Sequence, residues 1–313
     1  LTLIASFLRL IRWPNLFFIA LTQALFHVCI LDTSLHAVSL KPLIEGNTLF
    51  MIMASSIFIA AGGNIINDYF DLNIDQINKP DKLVVDRIIS RRWVIAWHLI
   101  VSFIGIALSF YVDWKIHSHL IGWANLGCVL LLFIYSASLK KKFLVGNILV
   151  SLLTAWVILI LCLPEFHIIT VNNPALIKAN NKIFKYGVLY AGFAFILSLV
   201  REVVKDMEDI DGDRRYGCKT MPIVWGLNAT KVFVAVWLIV LTITMTILQF
   251  YVLQFGWWMS CLYCVLLIIL PLVWILRKLF DAQTQNDFHT LSSVIKAVML
   301  AGILSMAFIK FYS

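Results

Sequence analysis

The sequence predicts an all-α integral membrane protein, with nine transmembrane helices around a central cavity and a pseudo-repeat of two four-helix halves. Three observations predict it. Of 313 residues, 61% are hydrophobic and 13% charged, with a mean hydropathy of +0.91, far from the composition of a soluble domain. Nine apolar segments are long enough, or nearly so, to cross a hydrocarbon layer of about 30 Å as helices. The charges between them fall on alternate sides. One domain is expected over residues 1–313.

The segments lie near 14–35, 48–68, 93–112, 119–136, 144–163, 184–203, 230–252, 257–276 and 291–311. With the N-terminus inside, nineteen Lys and Arg fall on the inner side and six on the outer, a positive-inside bias that sets a cytoplasmic N-terminus. The same division puts 13 of 17 acids inside, which topology rules do not require. The +8 net charge therefore follows membrane orientation, and no nucleic-acid partner is expected.

Those inner acids gather in two stretches. The first, Asn64 to Asp75, prolongs the second apolar segment. Read as a continuing helix at about 100° per residue, it puts Asn64, Asn67, Asp68, Asp71 and Asp75 within an arc of roughly 100°. Three carboxylates on such a face beside a membrane need a cation, and a hard one such as magnesium suits oxygen donors. The second stretch, residues 201–215, prolongs the sixth segment. There Glu202, Asp206, Asp209 and Asp213 share an arc of about 60°, with Gly212 a candidate end to the helix.

Magnesium prefers one or two carboxylates plus phosphate oxygens, so two split clusters suit it better than one protein cage. A diphosphate between them would complete the coordination. Lys82, Lys140, Lys141, Lys142, Arg201, Lys205 and Lys219 are the inner cations available to neutralise it. An EF-hand reading of Asp71, Asn73 and Asp75 fails, because Gln76 stands at the turn glycine and Lys82 at the final glutamate. The six cysteines sit mostly in apolar runs and read as packing residues; Cys261 and Cys264 have CxxC spacing but no second ligand pair. Residues 164–183 read as the longest outer loop.

Asn67, Asp68, Asp71 and Asp75 resemble the NDxxDxxxD signature of the UbiA superfamily of intramembrane prenyltransferases, and Asp209 with Asp213 resemble its second DxxxD signature. The resemblance extends to residues 135–142 and 212–222 and covers essentially the whole chain. It implies magnesium-dependent transfer of a polyprenyl group from its diphosphate to a lipophilic acceptor, within membrane lipid, at the cytoplasmic side. It further implies that Asn67, Asp71 and Asp75 hold one magnesium ion and Asp209 with Asp213 a second. Asp68, Asp71 and Asp209 are the expected catalytic residues, Asp68 by supporting the metal-holding side chains from behind or by deprotonating the acceptor. Asn64 and Asp206 share the correct faces as second-rank ligands.

The sequence around Asn67 to Pro80 and residues 201–215 looks like the branch that includes the (di)geranylgeranylglyceryl phosphate synthases. Geranylgeranyl transfer to geranylgeranylglyceryl phosphate is thus the leading expectation, and prenylation of an aromatic quinone precursor its alternative. A magnesium-dependent transporter is the reading from another class. A conducting path would need acids at several depths, whereas here they crowd one side.

Overall fold

The computed structural model describes residues 3–78, 84–86, 88–166 and 174–312, with no account of the side chains of Leu3 and Phe166. Among the described residues nine helices are long and apolar enough to cross a membrane. They are Trp13–His36, Asn47–Asn78, Arg91–Ile116, Leu120–Ala137, Val145–Glu165, Pro174–Glu208, Leu227–Leu253, Trp258–Asp281 and Gln285–Phe311. Each expected span is present. The second and sixth reach beyond their apolar runs, to Asn78 and Glu208, so both acidic stretches begin as helix.

Polar contacts between spans fix their pairing, because a hydroxyl or amide inside an apolar bundle needs a partner. Ser55 Oγ donates to Gly105 O at 2.8 Å, and Asn125 Nδ2 donates to Ser109 Oγ at 2.8 Å and Ser55 Oγ at 3.2 Å, joining the second, third and fourth spans. Gly105 is required there: a Cβ would stand 3.2 Å from Ser55 O and from Ile59 N. At the opposite end of the bundle from the acidic stretches, buried Glu165 accepts from Leu43 N at 2.9 Å and Asn180 Nδ2 donates to Glu165 O at 3.1 Å. These bonds tie the connection after the first span and the start of the sixth span to the end of the fifth.

Two sequence expectations need correction. Of the outer loop expected over 164–183, residues 164–166 end the helix of the fifth span, 167–173 lie outside the described residues, and 174–183 are the opening turns of the sixth span, which starts at Pro174, a residue whose fixed φ and missing N–H suit a first helical position. The second acidic stretch is not one helix. It breaks at Asp209, earlier than Gly212, and Ile210–Arg215 forms a separate short helix. The cysteines are free thiols, Cys261 and Cys264 included.

Candidate active site

A cavity of about 1300 Å³ opens inside the bundle. Its wall at one end carries Asn64, Asn67, Asp68, Asp71 and Asp75 from the second span and Asp206, Asp209 and Asp213 from the second stretch. With Glu202, which also lines the cavity, all nine residues of the two acidic faces, far apart in sequence, therefore face one space. Towards the other end the wall turns apolar and aromatic, with Phe193, Leu241, Met245, Trp257 and Tyr312 among its residues. A polar head and a long apolar tail are the shape complement of an amphiphile.

The junction between the two acidic stretches is built by Asn78. Its Nδ2 donates to Asp209 O at 3.1 Å and its Oδ1 accepts from Gly212 N at 2.9 Å, bridging the break in the second stretch. Asp209 O also accepts from Asp213 N at 3.2 Å, while Gly212 N lies in the first turn of the short helix, where backbone donors have no intrahelical acceptor. The break turns the chain while keeping Asp213 on the cavity wall with Asp209. Sequence reasoning missed Asn78.

Each wall also carries its own counter-ions. Asn67 Nδ2 donates to Asp71 Oδ2 at 2.6 Å, while Lys140, on the turn after the fourth span, pairs with Asp71 and lies 3.4 Å from Asn67 Oδ1. Gly146 lets that turn pack closely, since a Cβ there would meet Lys140 Cα at 2.7 Å. On the sixth span Arg201 and Lys205 flank Glu202 at 3.2 and 3.1 Å, and Asn147 Nδ2 donates to Asp206 Oδ2 at 2.8 Å.

Arg12, a second residue absent from the sequence reading, donates to Asp68 Oδ1 at 2.6 Å. It occupies the left-handed region, with φ 53°, between the helix Leu3–Leu10 and the first span. A non-glycine residue rarely adopts that backbone, and here it turns the guanidinium onto the cavity wall. The Asp68 carboxylate holds that guanidinium even further above its ordinary titration range, with hydrogen bonding in the same direction and burial opposing.

The remaining cations divide. Lys141 lines the cavity, and its carbonyl accepts from Lys219 N at 2.8 Å, which ties the turn after the fourth span to the loop after the second acidic stretch. The side chains of Lys142 and Lys219 are exposed and are not on the cavity wall. Lys82 lies outside the described residues.

The donor set fits magnesium. Five of the oxygen-bearing side chains expected to hold it line the cavity from two sides, and Asp71 is neutralised by the Lys140 ammonium. Among the described residues no three His, Cys, Asp or Glu side chains form a metal-holding group on their own. Coordination would thus draw on an amide oxygen, water or substrate oxygens beside the carboxylates, which is how magnesium is commonly held.

A helical bundle around an amphiphile-shaped cavity, with two carboxylate walls at its polar end, is the architecture of a membrane prenyltransferase. The chain belongs to the UbiA prenyltransferase family, whose model matches residues 33–300. It is 30% identical over 254 residues to the digeranylgeranylglyceryl phosphate synthase of Methanosphaera stadtmanae, covering 80% of this chain and 84% of that one. It is 33% identical over 210 residues to the synthase of the same name from Methanothermobacter thermautotrophicus, covering 66% and 67%. The fold resembles that of a UbiA homolog from Archaeoglobus fulgidus bound to GPP and Mg2+, with a TM-score of 0.54 at 15% identity over 96% of this chain and 99% of that one.

Proposed function

We propose that this enzyme transfers a geranylgeranyl group from geranylgeranyl diphosphate to geranylgeranylglyceryl phosphate, with two magnesium ions, at the cytoplasmic face of the membrane. The observation that carries this reading is the meeting of both acidic stretches in one cavity with a long apolar extension. Its volume supports a pair of lipid substrates, since a pocket for a single small molecule spans roughly 300–1,000 Å³. The names of the relatives support the acceptor, and the positive-inside charge bias supports the orientation.

In this reading Asn67, Asp71 and Asp75 hold one ion and Asp209 with Asp213 the other, with Asn64 and Asp206 as reserve donors. Bound magnesium supplies Lewis acidity toward the leaving diphosphate. Lys140 and Lys141 neutralise the diphosphate oxygens, and Lys140 exchanges its partner Asp71 for them as the substrate enters. The apolar wall keeps water from the allylic cation, so the acceptor hydroxyl captures it and an ether forms. The proton lost from that hydroxyl goes to a cavity carboxylate, for which Asp68 is positioned by Arg12.

Labelled geranylgeranyl diphosphate, incubated with the purified enzyme, magnesium and each acceptor in turn, tests the proposal. Label should pass to the glyceryl phosphate and not to an aromatic quinone precursor. Labelling of the aromatic acceptor alone would move the enzyme to the other branch, and no product from any acceptor would defeat the proposed activity.

A further inference from the structure

A lysine inside a membrane span is costly and needs a reason. Lys296 lies eleven residues into the ninth span, about 16 Å along the helix from its start at Gln285. Its Nζ donates to Asn15 Oδ1 at 3.0 Å and stands 5.1 Å from the centre of the Phe18 ring, both in the first span. Among the described residues no carboxylate forms an ion pair with it. Its charged neighbours are instead Arg201 and Lys205 on the sixth span, close enough to act on it electrostatically. All three line the cavity.

Cations gathered on one wall repel one another unless an anion joins them. Glu202 sits between Arg201 and Lys205, and Asp206, one turn further along the sixth span, lines the same cavity and acts on Lys205. Both carboxylates lie on the sixth span beside Arg201 and Lys205, so Lys296, on the ninth, brings a positive charge that no ion pair meets among the described residues. Arg201 also keeps its buried Nε without a hydrogen-bond partner, the kind of donor a buried site does not leave idle. This group is separate from Lys140, which serves the second-span acids from the turn after the fourth span. The ninth span packs against the sixth and the first, so Lys296 faces the cavity from another direction.

We propose that Lys296, Arg201 and Lys205, with Asn15, form a second anion subsite that takes the phosphate monoester of the acceptor lipid, apart from the diphosphate site. A phosphate monoester carries about −1.5 to −2 near neutral pH and several acceptor oxygens, so it can meet the Lys296 ammonium and the idle Arg201 Nε together. An aromatic acceptor with a single carboxylate has less charge and fewer oxygens with which to reach both. The subsite therefore reads the acceptor's headgroup, and it rests on the proposed acceptor class. Arg201 and Lys205, which the sequence groups with the diphosphate cations, are assigned here to the acceptor.

The test is Lys296→Met, which keeps the apolar stem, beside Lys296→Arg, which keeps the charge. Turnover is measured with geranylgeranylglyceryl phosphate and with its dephosphorylated counterpart. Loss of one charge-assisted hydrogen bond should raise KM for the phosphorylated acceptor about 10-fold or more and shrink the preference for phosphate by the same factor. KM for the donor should move less than about 2-fold, and Lys296→Arg should retain most of the preference. A donor KM that rises as much as the acceptor KM, or an unchanged preference, overturns the subsite.

Binding keeps the proposal testable if no acceptor turns over. A radiolabelled lipid phosphomonoester and inorganic phosphate are each titrated onto the full protein, with magnesium and a non-hydrolysable donor analogue filling the donor site. The lipid phosphomonoester should bind wild type about 10-fold or more tighter than Lys296→Met, and inorganic phosphate should compete weakly. Equal binding to wild type and variant overturns the subsite without reference to turnover. Tight competition by inorganic phosphate would overturn its assignment to a lipid headgroup.

Discussion

Asn78 grips Gly212 through a single amide side chain that also holds Asp209 O, so the ends of the two acidic stretches are locked together across 134 positions of sequence. Gly212 has no room for a side chain: a Cβ would stand 2.4 Å from Asn78 Oδ1. The spacing between the two carboxylate walls thus depends on one amide and one missing methyl group.

Gly212→Ala should push Asn78 aside and spread the walls. Overpacking of this kind costs about 1–3 kcal/mol, and the magnesium concentration for half-maximal activity should rise severalfold while the helical content stays the same. Asn78→Ala should shift magnesium dependence the same way through loss of two hydrogen bonds, each worth about 1 kcal/mol. Magnesium titrations of initial rate on both variants check this; unchanged half-saturation in both would remove the clamp from the account.

Lys140 and Asp71 pair with only 10% and 16% of their side chains exposed, so removing one partner leaves the other poorly compensated. Lys140→Met should lower the melting temperature without magnesium and raise KM for the donor about 10-fold. Magnesium with a diphosphate analogue should recover part of the lost stability by replacing the missing positive charge. Thermal melts with and without both ligands read this directly, and a variant with unaltered donor KM would exclude Lys140 from the diphosphate site.

Cys218 sits buried on the cavity wall in the loop after the second acidic stretch, and burial pushes its thiol up to about 11, with nearby Asp213 adding to the effect. The thiolate is the reactive form, so it is scarce at pH 8 and abundant only near and above about pH 11. Alkylation at Cys218, mapped by mass spectrometry, should be slow at pH 8 and rise steeply toward pH 11. Rapid labelling at pH 8 would mean that the loop opens away from the cavity.

Much of this architecture is legible in the sequence because a membrane imposes it. Nine apolar runs become nine spans, and the one-sided spacing of Asn67, Asp71 and Asp75 survives because the second helix continues unbroken to Asn78. The break at Asp209 is not legible: no proline marks it, and Asn78, which bridges it, is distant in sequence. Arg12 is hidden for a similar reason, as its partner Asp68 is 56 residues away and its left-handed backbone follows from packing. Lys296 is visible as a charge in an apolar run, but position alone groups it with the lysines that orient the chain. Only its neighbours Arg201 and Lys205 set it apart.

The central claim is that both carboxylate walls are needed to bind one diphosphate. Equilibrium binding of a non-hydrolysable geranylgeranyl diphosphate analogue to wild type, Asp71→Asn and Asp209→Asn, each with and without magnesium, tests it most directly. The account predicts magnesium-dependent binding by wild type, weakened about 10-fold or more by either substitution in protein that remains folded. Magnesium-dependent binding of wild-type strength in either variant would contradict it.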